Sequence, residues 1–291
     1  MSFLLPPAQA KAQAPLGPQA RWITPEEQLV QLGQLKPSIV KEIVGATSLI
    51  KDVSEIVAEY AAESRLTNWY TALKLIGKLP KKIPPLPRQI HKVLNSKCPK
   101  IICDKLKSDG TFYTVGEKCT LTLIPEELEN INQFERVVKS YGEKQYPENE
   151  NPLQFRYFWD AAREEHGSVP FGPTHWELQT DGVLEGSRNK VYREQEKLVA
   201  SLAKETFADW KVPDLPGTIV ATFLKKIGTG ESLYPAGNDQ NGNVSTYTRL
   251  QEKTQNLRLA VGCFYHSGVF VNQPPHLQHM ESMGVAAQLK F

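Results

Sequence analysis

The sequence predicts an α+β protein: an N-terminal helical bundle followed by a larger mixed α+β domain. Three observations lead there. Apolar residues recur at helical spacing over 24–77. A connector, KLPKKIPPLPRQ at 78–89, then places four prolines in twelve residues, which no helix accommodates. Beyond residue 98 short alternating segments mix with helices, without the strand–helix alternation of a parallel sheet.

Residues 1–23 have the Ala/Gln/Pro-rich composition of a disordered tail. Its apolar start, Phe3-Leu4-Leu5, is cut off by Pro6-Pro7, so no secretory apolar core follows; a type III-like secretion signal is the functional alternative. Thr24, Pro25 and Glu27 make a helix start, with Thr24 as cap and Glu27 closing a capping box, and a helix runs to about Leu35. Ile39, Ile43 and Val44 share one helical face, and Ile50, Val53, Ile56, Val57 and Tyr60 share another. Residues 66–77 continue the pattern to Gly77, and 78–89 is the predicted domain boundary, with a short helix over 90–95 beginning the 90–291 domain. Strands are expected at 119–124, 155–159, 175–180, 257–264, 268–271 and 284–289. Helices are expected at 191–206, burying Leu198, Val199 and Leu202, and at 218–227, stopping at Gly228; 142–152 reads as a polar loop and 237–243 as a turn.

The 291 residues are 40% hydrophobic and 23% charged, which is globular composition. Thirty-four Lys and Arg against 32 Asp and Glu give a net charge of +2, so the chain is not basic throughout. Four cysteines make no disulfide framework and fit a reducing compartment. No stretch approaches the ~18 apolar residues of a membrane span. Charge is concentrated locally: 78–107 holds nine Lys and Arg against Asp104 alone. Such a run can track phosphates or an anionic membrane surface. It contains no Phe, Tyr or Trp on which bases could stack, so a nucleic-acid partner is not expected. The plain reading is a solvated linker balanced by the acidic stretch 126–165.

No motif identifies a reaction, and none calls for a cofactor. Four constellations nevertheless carry reactive residue types. Cys98 and His175 could form a thiolate–imidazole pair, the pairing a cysteine nucleophile needs. Arg188 and Lys190, ahead of a helix start, could hold an anion. Cys263, His266, His276 and His279 are ligand types suited to tetrahedral zinc, although the spacer between His266 and His276 is short and stiffened by Pro274-Pro275. Asp160, Glu164, Glu165 and His166 form an acidic cluster that reads as a solvated face. Cys98, Cys103 and Cys119 are too loosely spaced for a second zinc site, and the calcium-like opening at Asp239 fails where Val244 and Leu250 replace the required glycine and glutamate.

Six segments occur in a fixed order: HKVLNSKCP (91–99), LTLIP (121–125), FRYFWD (155–160), THWELQTDGVLEGSRNK (174–190), TYTRLQE (246–252) and GVAAQLKF (284–291). Together they resemble a C-terminal domain of F-box-like proteins from chlamydia-like intracellular bacteria. The resemblance covers about 84–291 and keeps Cys98, His175 and Arg188, but departs at Cys119, His266, His276 and His279. It assigns no activity. It implies an adaptor or effector-like protein whose partner is a protein, with a host ubiquitin-ligase adaptor as the candidate. The implied location is the bacterial cytoplasm, or a host cell after secretion. Over 24–77 only Pro37, the run from Ile50 to Tyr60 and Trp69 follow an F-box outline.

Overall fold

The structure, a computed structural model, describes residues 68–146, 151–234, 245–265, 268–274 and 280–291. Every described residue belongs to one compact unit. Helices α1 (Asn68–Leu75) and α2 (Arg88–Asn95) lead into strand β1 (Cys119–Ile124). Then follow α3 (Ile131–Gln145), β2 (Phe155–Phe158), α4 (Asp160–His166), β3 (His175–Thr180), α5 (Tyr192–Thr206) and α6 (Leu215–Thr229). Strands β4 (Tyr247–Thr254), β5 (Leu257–Tyr265), β6 (Gly268–Asn272), β7 (Met283–Gly284) and β8 (Gln288–Lys290) finish the chain. The class is mixed α+β, as expected.

Two sheets form: a three-stranded one in the order β1-β3-β8 and a five-stranded one in the order β2-β6-β5-β4-β7. The first is antiparallel throughout, with Ile124 opposite His175 and Cys119 opposite Thr180. Because side chains alternate across a strand, Thr120, Thr122, Glu177, Gln179, Gln288 and Lys290 share one face of this sheet. Leu121, Leu123, Trp176, Leu178 and Leu289 share the other.

Helix α6 contacts strands of both sheets as well as α1 and α3. Its sequence explains its place. Asp214 caps it by accepting from the Gly217 N–H at 2.8 Å, a proline stands in its first turn, and Gly230 ends it at φ +75°. Every residue from Gly217 to Lys225 is buried, so the helix is apolar nearly all round, as an internal helix must be. Phe223 sits edge-to-face against Phe134, Phe155 and Phe264, which come from α3, β2 and β5.

The expected boundary at 78–89 does not separate the helix before it from the body after it. Trp69, Ala72 and Leu73 of α1 are in the core, and Trp69 packs edge-to-face on Trp176 of β3 with ring centroids 4.9 Å apart. Leu86 of the connector is buried, and the Pro84 carbonyl accepts from the Trp176 indole N–H at 3.0 Å. The prolines therefore bend the chain over the surface of the body and hold it there. The rest of the expected helical bundle, 24–67, and the tail, 1–23, lie outside the described residues, as does the 237–243 turn.

Candidate functional site

The structure does not bring Cys98 and His175 together. Cys98 is buried, its N–H donates to the Tyr113 carbonyl at 2.8 Å, and its thiol feels Cys103, Lys118 and Glu117, which places it at the Cys119 end of β1. His175 stands opposite Ile124, at the other end of the same strand. Five residues of extended chain separate those levels, about 16 Å. Burial also pushes the Cys98 thiol up to about 12, so it stays protonated at neutral pH, whereas a nucleophile must be a thiolate.

His175 instead belongs to a buried charge cluster where α6 begins. Its Nδ1 donates to the Pro173 carbonyl at 2.8 Å, and its Nε2 lies 3.0 Å from Glu177 Oε1. Both ring nitrogens face acceptors, which favours the imidazolium, and the Glu177 carboxylate raises the His175 pKa. Lys290 Nζ also reaches Glu177 Oε1, at 2.9 Å, and pairs with Asp214. Gln288 ties the two acids together, donating to Glu177 Oε2 at 2.5 Å and accepting from the Asp214 N–H at 2.9 Å. Glu252 completes the helix start by accepting from the Leu215 N–H at 2.9 Å. Every one of these groups is hydrogen-bonded within the cluster, so its role is to join β3, β8 and β4 to the start of α6.

That cluster makes stability depend on pH. Burial first, and then the neighbouring Asp214 charge, push Glu252 up to about 7 from 4.5. The native state binds this proton more tightly than the unfolded chain, so the contribution is full below pH 4.5 and lost as pH rises through about 7. The raised His175 has the same sign, with stability lost as pH climbs through its native pKa. Glu252→Gln keeps an acceptor for Leu215 and removes the charge. It is expected to stabilise the protein at pH 8 by on the order of 3 kcal/mol and to change little at pH 4. Urea unfolding at the two pH values checks this; an equal effect at both would refute it.

Arg188 and Lys190 do not form an anion site. Arg188 lines a cavity of about 380 Å³ with Asp181, Lys225, Leu233 and Thr246, and Lys190 does not. Its guanidinium is committed, donating to the Glu281 carbonyl at 2.8 Å and to Thr246 Oγ1 at 2.6 Å. Lys225, the cavity's other cation, pairs with Asp181 at 2.9 Å. The helix begins at Tyr192, and Glu194 already accepts from the Val191 N–H at 3.2 Å, so a carboxylate holds the position an anion would take. Lys190 contributes its carbonyl, which accepts from the buried Arg249 at 2.8 Å. The zinc set cannot be placed: His266, His276, His279 and the Cys263 side chain lie outside the described residues. Among the described residues no three His, Cys, Asp or Glu converge on a metal position.

A different feature comes forward at the surface. Helix α2 turns Ile90 and Leu94 inward and leaves Arg88 and Lys92 exposed. Its last turn is hydrogen-bonded to the base of a hairpin, Val115 N–H to the Ser96 carbonyl at 3.0 Å and Gly116 N–H to the Leu94 carbonyl at 2.9 Å. The hairpin turns at 107–110, where Gly110 takes φ +82°, and Leu106 and Phe112 face each other across it. Both are about half exposed, at 51% and 49%. Lys97 Nζ stands 3.2 Å from the centroid of the Phe112 ring, and Lys118 Nζ 3.6 Å from that of Tyr113. Exposed Lys81, Lys82, Arg88, Lys92, Lys97, Lys100 and Lys105 form no ion pair among the described residues. Residues 78–118 carry ten Lys and Arg against Asp104, Asp109 and Glu117, a net +7 in a chain whose total is +2. The acidic stretch 126–165 meets this run at Lys78, which lies 4.0 Å from Glu129 and donates to the Glu127 carbonyl at 2.8 Å, while its Glu135 pairs with Arg163 at 2.5 Å inside the same stretch.

No protein-family model, curated protein or solved structure matches this chain.

Proposed function

We propose that this chain is an interaction protein, adaptor or effector-like, of an intracellular bacterium, and that it works by docking rather than by turnover. The observation that carries the reading is the cationic surface over 88–118, where exposed Arg88, Lys92, Lys97, Lys100 and Lys105 form no ion pair among the described residues and Leu106 and Phe112 are half exposed. A partner of complementary charge that also covers the apolar pair would suit such a surface. The competing cysteine-enzyme reading loses its support, because the protonated Cys98 thiol and the ion-paired His175 sit at opposite ends of β1 and β3. The resemblance adds a protein partner, with a host ubiquitin-ligase adaptor as the candidate for the F-box-like segment 24–77, of which 24–67 lies outside the described residues.

Calorimetry with the purified full chain and that adaptor tests the reading. A micromolar or tighter complex is expected, and Cys98→Ala and His175→Gln are expected to bind it as the parent does. A chemical turnover by the full chain that either substitution abolishes would overturn docking as the function.

A further inference from the structure

We infer that the 88–118 face is a peripheral contact site for an anionic lipid bilayer, an assignment that rests on the docking reading above and names the partner of that face. The charge distribution points there. Residues 88–118 carry seven Lys and Arg against Asp104, Asp109 and Glu117, a net +4 in a chain whose total is +2, so the rest of the chain is net −2. A negatively charged surface orients such a molecule with this face toward it, and each lysine near the surface strengthens the attraction.

The apolar pair completes the site. Leu106 and Phe112 are cross-strand partners at the neck of a tight turn, so they project together. Lys105 and Lys107 flank Leu106 in sequence and Lys97 stands over the Phe112 ring, and the long methylene stems of lysines let side chains lie along an interface while the ammonium groups stay at headgroup level. Leu106 and Phe112 are half exposed and paired across the hairpin. They suffice for shallow insertion when electrostatics supplies most of the attraction.

Two features argue against a nucleic acid on the same surface. Each hairpin ring carries a lysine over one face, 3.2 Å from the Phe112 and 3.6 Å from the Tyr113 centroid, and residues 78–107 hold no further aromatic on which successive bases could stack. Asp109 sits in the turn itself, hydrogen-bonded to the Thr111 N–H and hydroxyl, where it would oppose a phosphate backbone tracking the hairpin. A bilayer meets the Leu106–Phe112 side of the hairpin and tolerates an acid beyond it.

Flotation of the full chain with vesicles tests this. Vesicles of phosphatidylcholine with about a third phosphatidylserine are expected to bind at least ~100-fold more tightly than phosphatidylcholine alone at about 0.1 M salt, and the difference should shrink as salt rises. The triple substitution Lys97→Gln, Lys100→Gln, Lys105→Gln is expected to weaken partitioning about 100-fold. Leu106→Ser with Phe112→Ser is expected to weaken it about 10-fold while leaving the salt dependence intact. Unchanged urea midpoints show that each variant is folded. If the parent ignores anionic vesicles but binds the purified adaptor, the lipid assignment falls and the docking reading stands. Vesicle binding that survives both sets of substitutions moves the contact elsewhere and refutes this face. A single-stranded oligonucleotide that binds where vesicles do not also overturns the assignment.

Discussion

Phe223→Ala is expected to cost about 5 kcal/mol of stability, enough to consume a large share of the 5–15 kcal/mol that a folded domain possesses. Phe223 is fully buried at the middle of α6, and its ring meets Phe134, Phe155 and Phe264 at centroid distances of 5.8, 5.4 and 5.2 Å, each near perpendicular. Truncation removes the transfer energy of the ring, opens a cavity, and breaks three edge-to-face contacts that add roughly 0.5–1.5 kcal/mol apiece. Three elements distant in sequence converge there, so the surroundings cannot collapse into the gap without dragging α3, β2 and β5 together. Urea unfolding followed by tryptophan fluorescence reads the loss directly. A cost below about 1.5 kcal/mol would mean that α6 is not enclosed as described.

Gly217→Ala reaches a comparable size by electrostatics rather than by cavity formation. Helical propensity alone would favour alanine by about 1 kcal/mol. A Cβ at this position, however, would overlap Glu177 Oε2 and Gln288 Nε2. Ordinarily the end of a flexible side chain moves aside. Here the Glu177 carboxylate is 2% exposed and is held by His175, Gln288 and the half-exposed Lys290, so moving it strips a buried carboxylate of its partners. The expected cost is about 4 kcal/mol, the scale for disrupting a buried pair. Gly217→Ala in a Glu177→Gln background should cost less, because the displaced group is then uncharged. Equal costs in both backgrounds would show that the clash, not the charge, sets the price.

Much of the architecture was legible in single segments. The alternation over 119–124 and 175–180 matches β1 and β3 to the residue, and the periodic stretch at 191–206 is α5 but for its first residue. Helix α6 begins three residues before the expected start, at a proline-containing first turn that Asp214 caps. Strand β4 was missed, because Tyr247–Thr254 mixes charged and polar residues and earns its strand state by pairing with β5 and β7. The final strand expected at 284–289 is two short ones, split around Val285, Ala286 and Ala287.

Site reading fared differently, for one physical reason. Residue type and local spacing say which groups are chemically able, but reactivity needs a distance, and distance between remote segments is set by strand register. Cys98 and His175 are 77 positions apart, and the pairing of β1 with β3 puts them at opposite ends of a ladder. Arg188 looked available beside a helix start, yet its guanidinium is spent on Thr246 and Glu281, residues far along the chain. The lysine run was visible throughout. Its aromatic partners were overlooked because Phe112 and Tyr113 lie beyond the run at 78–107, and only the hairpin folds them back against Lys97 and Lys118.

By itself, then, the amino-acid order determined the mixed α+β class, the positions of most helices and strands, and the concentration of positive charge over 78–107. These are properties of a window a few residues wide, where backbone preference and hydrophobic period act locally. Only the tertiary structure decided that α1 and the proline connector belong to the body, that His175 is a partner of Glu177 and not of Cys98, and that Lys97 and Lys118 stand over the Phe112 and Tyr113 rings. Those outcomes depend on which distant segments share a sheet or a helix face, and the free energy that selects them comes from burial and charge pairing summed over the whole fold.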